Sequence, residues 1–587
     1  MMKKNDLLIL NVHRRYIDTE LNFGGFSGIY LISAFLDNNG FDAQAFAGHL
    51  IKGKELIDTA CGNDLVKVIG LYCDYENVTE NIFLSKYVKK KYGLPVIIGG
   101  PQATALDKNF YIESMCDAVV RYEGEITVLE LMRYFVDEIG SLSNIKGISY
   151  LVDGEVKNNI LREEIKNLDS IPFIDAKYSL DDKLSGFSAN IMTGRGCPFN
   201  CSFCHEGYSK NKVRFRSVGN VLAEIDKFLE SLGNNRGFIA FTDDTFTLVP
   251  ERVKAICEGL KIRRAKYDFN WYCEGHIHTL YNHPEMIEYM ADAGLLKLQL
   301  GIESGVQSIL DVYRKGCTLD EIRSVIKKCV DCGIKQIYGN IILGGPLFNA
   351  DTYKKHLDFA LELLEMSKGT LELGVVSFWP LAETDITINP DKYGVKIVDG
   401  NFYTASSDFP MVEVEELSVW DICNYVNDMI NKLKNYMVDL ILNNKVPLEV
   451  IKDWFKLYNN YGFISPWLKY LSETDMMAYR YFEMLSTNEV ERFDEIPRNN
   501  FLDFHPMRVN SMYEAFKLDG DATILFGEKV DLVTREVVRY SVGKLSVKEI
   551  ISLLNNKEEL DGALTEESII EIYKRLADNY SMVFSRY

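Results

Sequence analysis

Three cysteines crowd the segment GRGCPFNCSFCHEG (194–207): Cys197, Cys201 and Cys204, at C-x3-C-x2-C spacing. Thiolates this dense bind soft metals, and zinc and iron–sulfur clusters are the usual occupants. A structural zinc site asks for four protein ligands. His205 adjoins Cys204 and is too near in sequence to complete a tetrahedron with it. Cys329 and Cys332 form a C-x-x-C far downstream, at a helix end before Gly333, and read as half-buried helix cysteines. Three thiolates on a four-iron cluster leave one iron without a protein ligand. That iron is open to a cofactor or substrate.

The segments after the loop must position it. VRFRSVGNVLAEIDKFLESL carries apolar residues at helical spacing. GFIAFTDDTFTLVPERVKAICEGL reads as strand, loop and helix. FNWYCEGHIHTL with HPEMIEYMADAGL, LKLQLGIESG with TLDEIRSVIKKCVDCG, and IKQIYGNIILGGP with TYKKHLDFALELLE repeat the unit, and LELGVVSFWPLAETDI adds a last strand. Strands alternating with helices predict a parallel sheet. Functional groups in such folds collect at the C-terminal ends of the strands.

The spacing C-x3-C-x-aromatic-x-C, with Phe203 as the aromatic, resembles the signature of the radical S-adenosylmethionine (radical SAM) superfamily. The resemblance implies a partial (β/α)6 barrel and a 4Fe–4S cluster on Cys197, Cys201 and Cys204. It further implies S-adenosylmethionine chelated by the open iron and cleaved to a 5′-deoxyadenosyl radical. By the same resemblance Asp243 and Asp244 of FTDD are the acidic pair after the second strand, one of them bonding the ribose hydroxyls. Glu303 of GIES is the fourth-strand contact to S-adenosylmethionine. Gly344 and Gly345 of GNIILGGP lie near the adenine, although Phe348 stands where relatives carry a glutamate after Pro346. His276 stands where relatives often carry an arginine.

Residues 1–150 have their own αβ rhythm. DLLILNVH, FDAQAFAG, LVKVIGLYC, LPVIIGGP and CDAVV are strands. GGFSGIYLISAFLDNNG is a helix ended by Asn-Gly. This is a doubly wound, Rossmann-like sheet, which binds ligands at its strand C-termini. IIGGPQAT (97–104) and VVRYEGE (119–125) resemble the cobalamin-binding domain that precedes one branch of radical SAM cores. Gly99, Gly100, Glu123 and Gly124 are the implied cobalamin contacts. Cobalamin domains with a D-x-H-x-x-G motif ligate cobalt through its histidine. Here Asn11-Val12-His13-Arg14-Arg15-Tyr16 keeps the histidine and loses the aspartate and glycine, so His13 is a candidate ligand or a polar loop residue. No G-x-G-x-x-G or P-loop follows the first strand, which argues against a nucleotide.

The 587 residues fit several domains. Residues 151–185 read as a charged linker, 186–400 as the radical SAM core, 401–510 as a helical domain and 511–587 as a small winged-helix-like domain. In the last, Gly543 makes a turn and Ser546 to Glu549 open a helix with a capping box. The fold class is α/β with a mostly helical C-terminal region. A formal net charge of −20 argues against nucleic acid as partner, no apolar run spans a bilayer, and MMKKNDLLILNVHRR reads as a first strand rather than a signal peptide. Twelve cysteines without an export signal predict a cytoplasmic protein.

The resemblance implies methyl transfer to an unactivated carbon of a peptide or small natural product, with an external one-electron reductant of flavodoxin or ferredoxin type. Ring contraction or ring closure, with or without cobalamin, is an alternative that the sequence does not separate from methylation. A non-enzymatic iron–sulfur redox sensor is a second alternative, against which the extensive barrel and the open iron argue.

Overall fold

The structure, a computed structural model, describes every residue except 1–4, 15–26, 181–187, 206–211, 401, 404, 406–408, 463–464, 488, 520–521, 561–563 and 587. Residues 24–26 of the expected first helix, 181–185 of the expected linker, and Glu206 and Gly207 of the cysteine loop lie outside the described residues. The chain divides into two compact units, Met1–Asn431 and Lys432–Tyr587.

The first sheet of unit 1 contains β1 (Leu7–His13), β2 (Ala43–His49), β3 (Val68–Tyr72), β4 (Val96–Gly99), β5 (Ala118–Val120), β6 (Ile148–Val152) and β7 (Glu155–Asn158). Their spatial order is β2-β1-β3-β4-β5-β6-β7. The first five are parallel and the last two antiparallel. β1 shows why the sequence folds so. Leu8, Leu10 and Val12 join one buried cluster, and Leu7 and Ile9 the opposite one. A strand buried on both faces reads as an unbroken apolar run, as LLILNV does. Strand order reverses at β1, which opens a crevice at the C-terminal ends of β1 and β3. The hairpin β6–β7 carries the sheet to Asn158, beyond residue 150 where the sequence placed the boundary.

The second sheet contains β8 (Ser188–Ile191), then β11 (Gly237–Phe241), β12 (Phe269–Gly275), β13 (Leu295–Glu303), β14 (Gln336–Leu343) and β15 (Leu371–Ser377). Between β8 and β11 lie the short β9 (Gly194–Arg195) and β10 (Arg214–Phe215), paired antiparallel. The six long strands are all parallel, in the order β15-β14-β13-β12-β11-β8. β8 and β15 are edges, so the barrel is partial. Side-chain caps start three of the helices between the strands. Ser217 caps Val218–Leu232, Thr318 makes a capping box with Glu321, and Asn349 makes one with Thr352.

Unit 2 continues the long helix Val419–Leu442 into helices Leu448–Tyr461, Pro466–Thr474 and Met476–Ser486. Its last part packs helices Leu532–Tyr540, Val547–Asn555 and Glu566–Asp578 into one apolar core with Met582 and Phe584 of the final strand. The capping box at Ser546 and Glu549 is present, and Gly543 has a φ of 75°. Among the described residues no helix is long and apolar enough to cross a membrane.

Candidate active site

The cysteine loop starts and ends in the paired residues of β9 and β10, so its neck is a two-residue ladder in which Arg195 faces Arg214. Opposed like charges destabilise an antiparallel pair unless something neutralises them. The neutralising groups come from the first sheet. Glu123, just after β5, accepts from Arg214 Nη2 at 2.7 Å and lies 3.2 Å from Arg195 Nη1. Its other oxygen accepts from the Ile165 amide at 2.8 Å. Glu125, almost fully buried, pairs with Arg195 Nη2. Burial works to raise the Glu123 carboxyl, but the Arg214 and Arg195 guanidiniums outweigh it and hold the group below the usual carboxylate range.

The rest of the loop is pinned to the barrel. Ser202 donates through its amide to Tyr313 O at 2.9 Å and through Oγ to Val312 O at 2.8 Å. The Ser202 carbonyl accepts from the Ile386 amide at 3.1 Å, and His205 Nδ1 lies 3.0 Å from Ala382 O. Phe203 packs on Tyr313 with ring centroids 4.8 Å apart. Phe199 stacks on His276 at 3.6 Å. The three cysteines are free thiols of intermediate exposure. Burial pushes the Cys197 and Cys201 thiols up, so neither ionises readily until a metal takes the sulfur. With the other His, Cys, Asp and Glu side chains among the described residues, they do not converge on a point where one metal ion would sit. Three half-exposed thiols on one loop are a donor set for a polynuclear cluster.

The acidic pair of FTDD splits in two. Asp243, at the end of β11, is buried and accepts from the Thr193 amide and hydroxyl, both at 2.5 Å. Burial raises its pKa to about 6, with the Thr193 hydrogen bonds opposing. It ties β11 to the start of the cysteine loop. Asp244 accepts from the Gly196 amide at 2.8 Å and faces open space. Glu303 ends β13 with a φ of 58°, at a register shift in the ladder, and accepts from Lys315 Nζ at 2.8 Å. Lys315 is buried, and its ammonium comes so near Gly301 that a Cβ there would lie 2.0 Å from it. Burial opposes the Lys315 charge, but Glu303 and the Cys201 thiol more than restore it, and the ammonium titrates above its ordinary value.

His276 is buried and accepts from the His278 amide through Nδ1. Burial, reinforced by the Lys315 charge, lowers its pKa to about 3, so the ring is neutral. Gly344 has a φ of 76°, and the room its missing side chain leaves is taken by Ile422, 2.4 Å from a built Cβ. Phe348 is buried edge-on against Tyr425.

A cavity of about 1060 Å³ joins the two sheets. Gly99, Gly100, Glu123 and Gly124 line it from the first sheet, and Arg195, Gly196, His205 and Asp244 from the cysteine loop and β11. Gly100 has a φ of 111°, and a Cβ there would meet the Cys73 carbonyl at 2.5 Å. Only glycine keeps this turn at the cavity wall. His13 is not among the lining residues. Its Nε2 lies 3.1 Å from Asn11 Oδ1 and 3.4 Å from Asp74 Oδ2.

The sequence brings Gly99, Gly100, Glu123, Gly124 and Asp244 to this cavity, while Asp243, Gly344 and His13 face elsewhere. Arg195, Arg214, Glu274 and Lys315 were not singled out from the sequence. Arg195 stands two residues before Cys197, and that adjacency is the one signal that would have found it.

A family profile, the Radical SAM superfamily, matches residues 191–360. Those residues are a radical SAM domain. An uncharacterized methyltransferase from Pyrococcus horikoshii is 32% identical over 299 residues, which cover 49% of this chain and 60% of that protein. The chain spans less than two thirds of the length of the first curated relatives it matches. Two solved structures share the fold. One is the cobalamin-dependent S-adenosylmethionine radical enzyme OxsB with aqua-cobalamin and S-adenosylmethionine bound. It has a TM-score of 0.52, 17% identity and coverage of 98% of this chain and 80% of that one. The other is the radical S-adenosylmethionine methyltransferase TsrM from Kitasatospora setae, with cobalamin and a 4Fe–4S cluster bound. It has a TM-score of 0.53, 15% identity and coverage of 68% and 77%. At these identities the likeness is one of fold.

Proposed function

We propose that the chain is a cobalamin-dependent radical SAM enzyme that transfers a methyl group to an unactivated carbon of a peptide or small natural product. The observation that carries this reading is the shared cavity. It has the glycine edge of a doubly wound sheet on one side and the three-cysteine loop of a radical SAM domain on the other.

The residues fit the cofactors. Cys197, Cys201 and Cys204 would hold a 4Fe–4S cluster, and Asp244 and Glu303 flank the loop where S-adenosylmethionine would lie. The cavity stands at the top of the usual volume range for small-ligand sites. Its backbone-lined wall at Gly99, Gly100 and Gly124 admits a broad, flat group such as a corrin. When bound, the cluster and S-adenosylmethionine supply a 5′-deoxyadenosyl radical and cobalamin carries the methyl group. The chain itself orients and seals. Glu123 and Glu125 hold the neck of the cysteine loop against the first sheet, Asp243 fixes its entry through Thr193, and Tyr313 and Phe203 exclude water behind it. His13, engaged by Asn11 and Asp74 and outside the cavity lining, is given no part. An external one-electron reductant and, in the cell, a cytoplasmic location belong to the same reading.

The test is anaerobic reconstitution of the full chain, followed by iron, sulfide and cobalt quantitation after incubation with hydroxocobalamin. A full cluster and equimolar cobalt are expected. Iron without cobalt would leave the radical half standing and remove methyl transfer.

A further inference from the structure

The interior of the partial barrel is polar where such barrels usually pack Val, Ile and Leu. Residues alternate along each strand, and the outward set is apolar and fully buried: Trp271, Cys273, Leu298, Leu300, Ile337 and Ile341. The inward set holds Tyr272 and Glu274 on β12, Gln299 on β13, and Tyr338 and Asn340 on β14. Except for Tyr272, these are only half-buried. Their hydrogen bonds run along one strand or to the next. Tyr272 Oη lies 3.0 Å from Glu274 Oε1 and 2.8 Å from Gln299 Oε1, and Tyr338 Oη donates to Asn340 Oδ1 at 2.8 Å. β15 contributes Gly374 at this level, and a Cβ there would stand 2.2 Å from Asn340 Oδ1, so Asn340 can lie there only beside glycine.

Charge in this lumen is arranged asymmetrically. Its floor is sealed by Lys297, 3.1 Å from Glu372 Oε2, with Gln336 on the other oxygen. Its mouth holds the Lys315–Glu303 pair. Both lysines are thus neutralised, whereas Glu274 has a second oxygen with no hydrogen bond to any described residue. Burial, with Tyr272 opposing and Asp244 and Glu303 assisting, raises the Glu274 pKa to about 7. A group entering the lumen meets an acidic acceptor and two hydroxyls, and every nearby cation already has its carboxylate. An anionic group placed there would be desolvated beside carboxylates, the costliest arrangement for it.

We propose that Glu274 makes this lumen selective for a hydroxyl- or amine-bearing, neutral or cationic part of the substrate. On this assignment it turns away carboxylate and phosphate groups, with Glu274 as the specificity-determining residue. The proposal rests on the radical reading above and deepens it.

Three isosteric probes differing at one terminus test it: 1,2-propanediol, 1-amino-2-propanol and lactate, each deuterated on carbon. Each is given at equal concentration to the reconstituted full chain with S-adenosylmethionine and dithionite. Deuterium in 5′-deoxyadenosine reads which probe lay within reach, since homolysis of its C–D bond delivers the deuterium atom to the 5′ carbon. The diol and amino alcohol are expected to label the product about tenfold more than lactate, the worth of one charge-assisted hydrogen bond. Glu274→Gln should lower amino-alcohol labelling relative to the diol by a similar factor, and Glu274→Lys should shift preference toward lactate. Equal labelling by lactate, an unchanged ratio in both variants, or 5′-deoxyadenosine free of deuterium with every probe overturns the proposal. Absence of 5′-deoxyadenosine from all reactions overturns the radical reading itself, and the site assignment with it.

Discussion

Two parallel sheets meet at one cavity with unlike edges. The first sheet presents glycines among apolar side chains: Gly99, Gly100 and Gly124 beside Ile9, Ile32, Leu71 and Ile98. The barrel presents charge: Asp244 lines the cavity, and the Glu303–Lys315 pair lies near Cys201 of the cysteine loop. The difference teaches what each edge can recognise. A glycine-rich, mostly apolar edge lets a large flat surface come close and discriminates by shape. A charged edge recognises a small ligand with fixed amino, carboxylate and hydroxyl groups.

The largest expected effect is a double dissociation between the edges. Cys201→Ser should abolish cluster loading, read by bound iron and sulfide, and leave cobalamin uptake within about twofold of the parent. Gly100→Ala should do the reverse. Alanine pays for the left-handed backbone, and its Cβ meets the Cys73 carbonyl. The turn must then move into the cavity, and cobalt uptake should fall at least about tenfold, the factor that ~1.4 kcal/mol yields. If both variants lost both cofactors in proportion, the two edges would not be separate sites.

A smaller effect should come from the joint. Glu125→Gln leaves Arg195 beside Arg214 with Glu123 alone to balance them. Removing one partner of a buried ion pair costs about 3–5 kcal/mol, and here less because Arg195 keeps Glu123. Thermal unfolding of the variant should begin several degrees lower, and iron should be lost faster to a chelator. Unchanged iron release would make the clamp a surface contact and sharpen the contrast between the sheets into independence.

Local signals in the sequence reach a long way here. LLILNV is a two-face buried strand, Ser546 and Glu549 make their capping box, and β11 to β15 fall where strand–helix alternation puts them. GGP and EGE reach the cavity because turns at strand C-termini are fixed by topology. What stayed hidden depends on contacts across long separations. Glu123 resembles a cofactor contact in sequence, yet its carboxylate and that of Glu125 are engaged by arginines that lie 70 residues or more away. Asp243 and Asp244 are adjacent and look alike, but one side chain faces Thr193 and the other the cavity. Nothing local distinguishes the inward Glu274 from the outward Cys273 until the sheet has closed.

The smallest expected effect concerns that inward carboxyl. Its folded-state pKa of about 7 stands above the ordinary 4.5. Between those values the folded state holds a proton that the unfolded state has released, so stability must fall as pH rises. The loss starts near the unfolded value and is complete once pH passes the folded one. A shift of this size corresponds to up to about 3 kcal/mol. Glu274→Gln has no proton to lose. Its melting temperature relative to the parent should therefore rise from pH 5 to pH 7.5 and then level off, with the order reversed or equal at pH 4.5. A difference that stays flat from pH 4.5 to pH 8 would mean that Glu274 ionises freely in the lumen. The barrel would then recognise with a solvated charge, as the surface does, and its contrast with the glycine edge would rest on Asp244 and Glu303 alone.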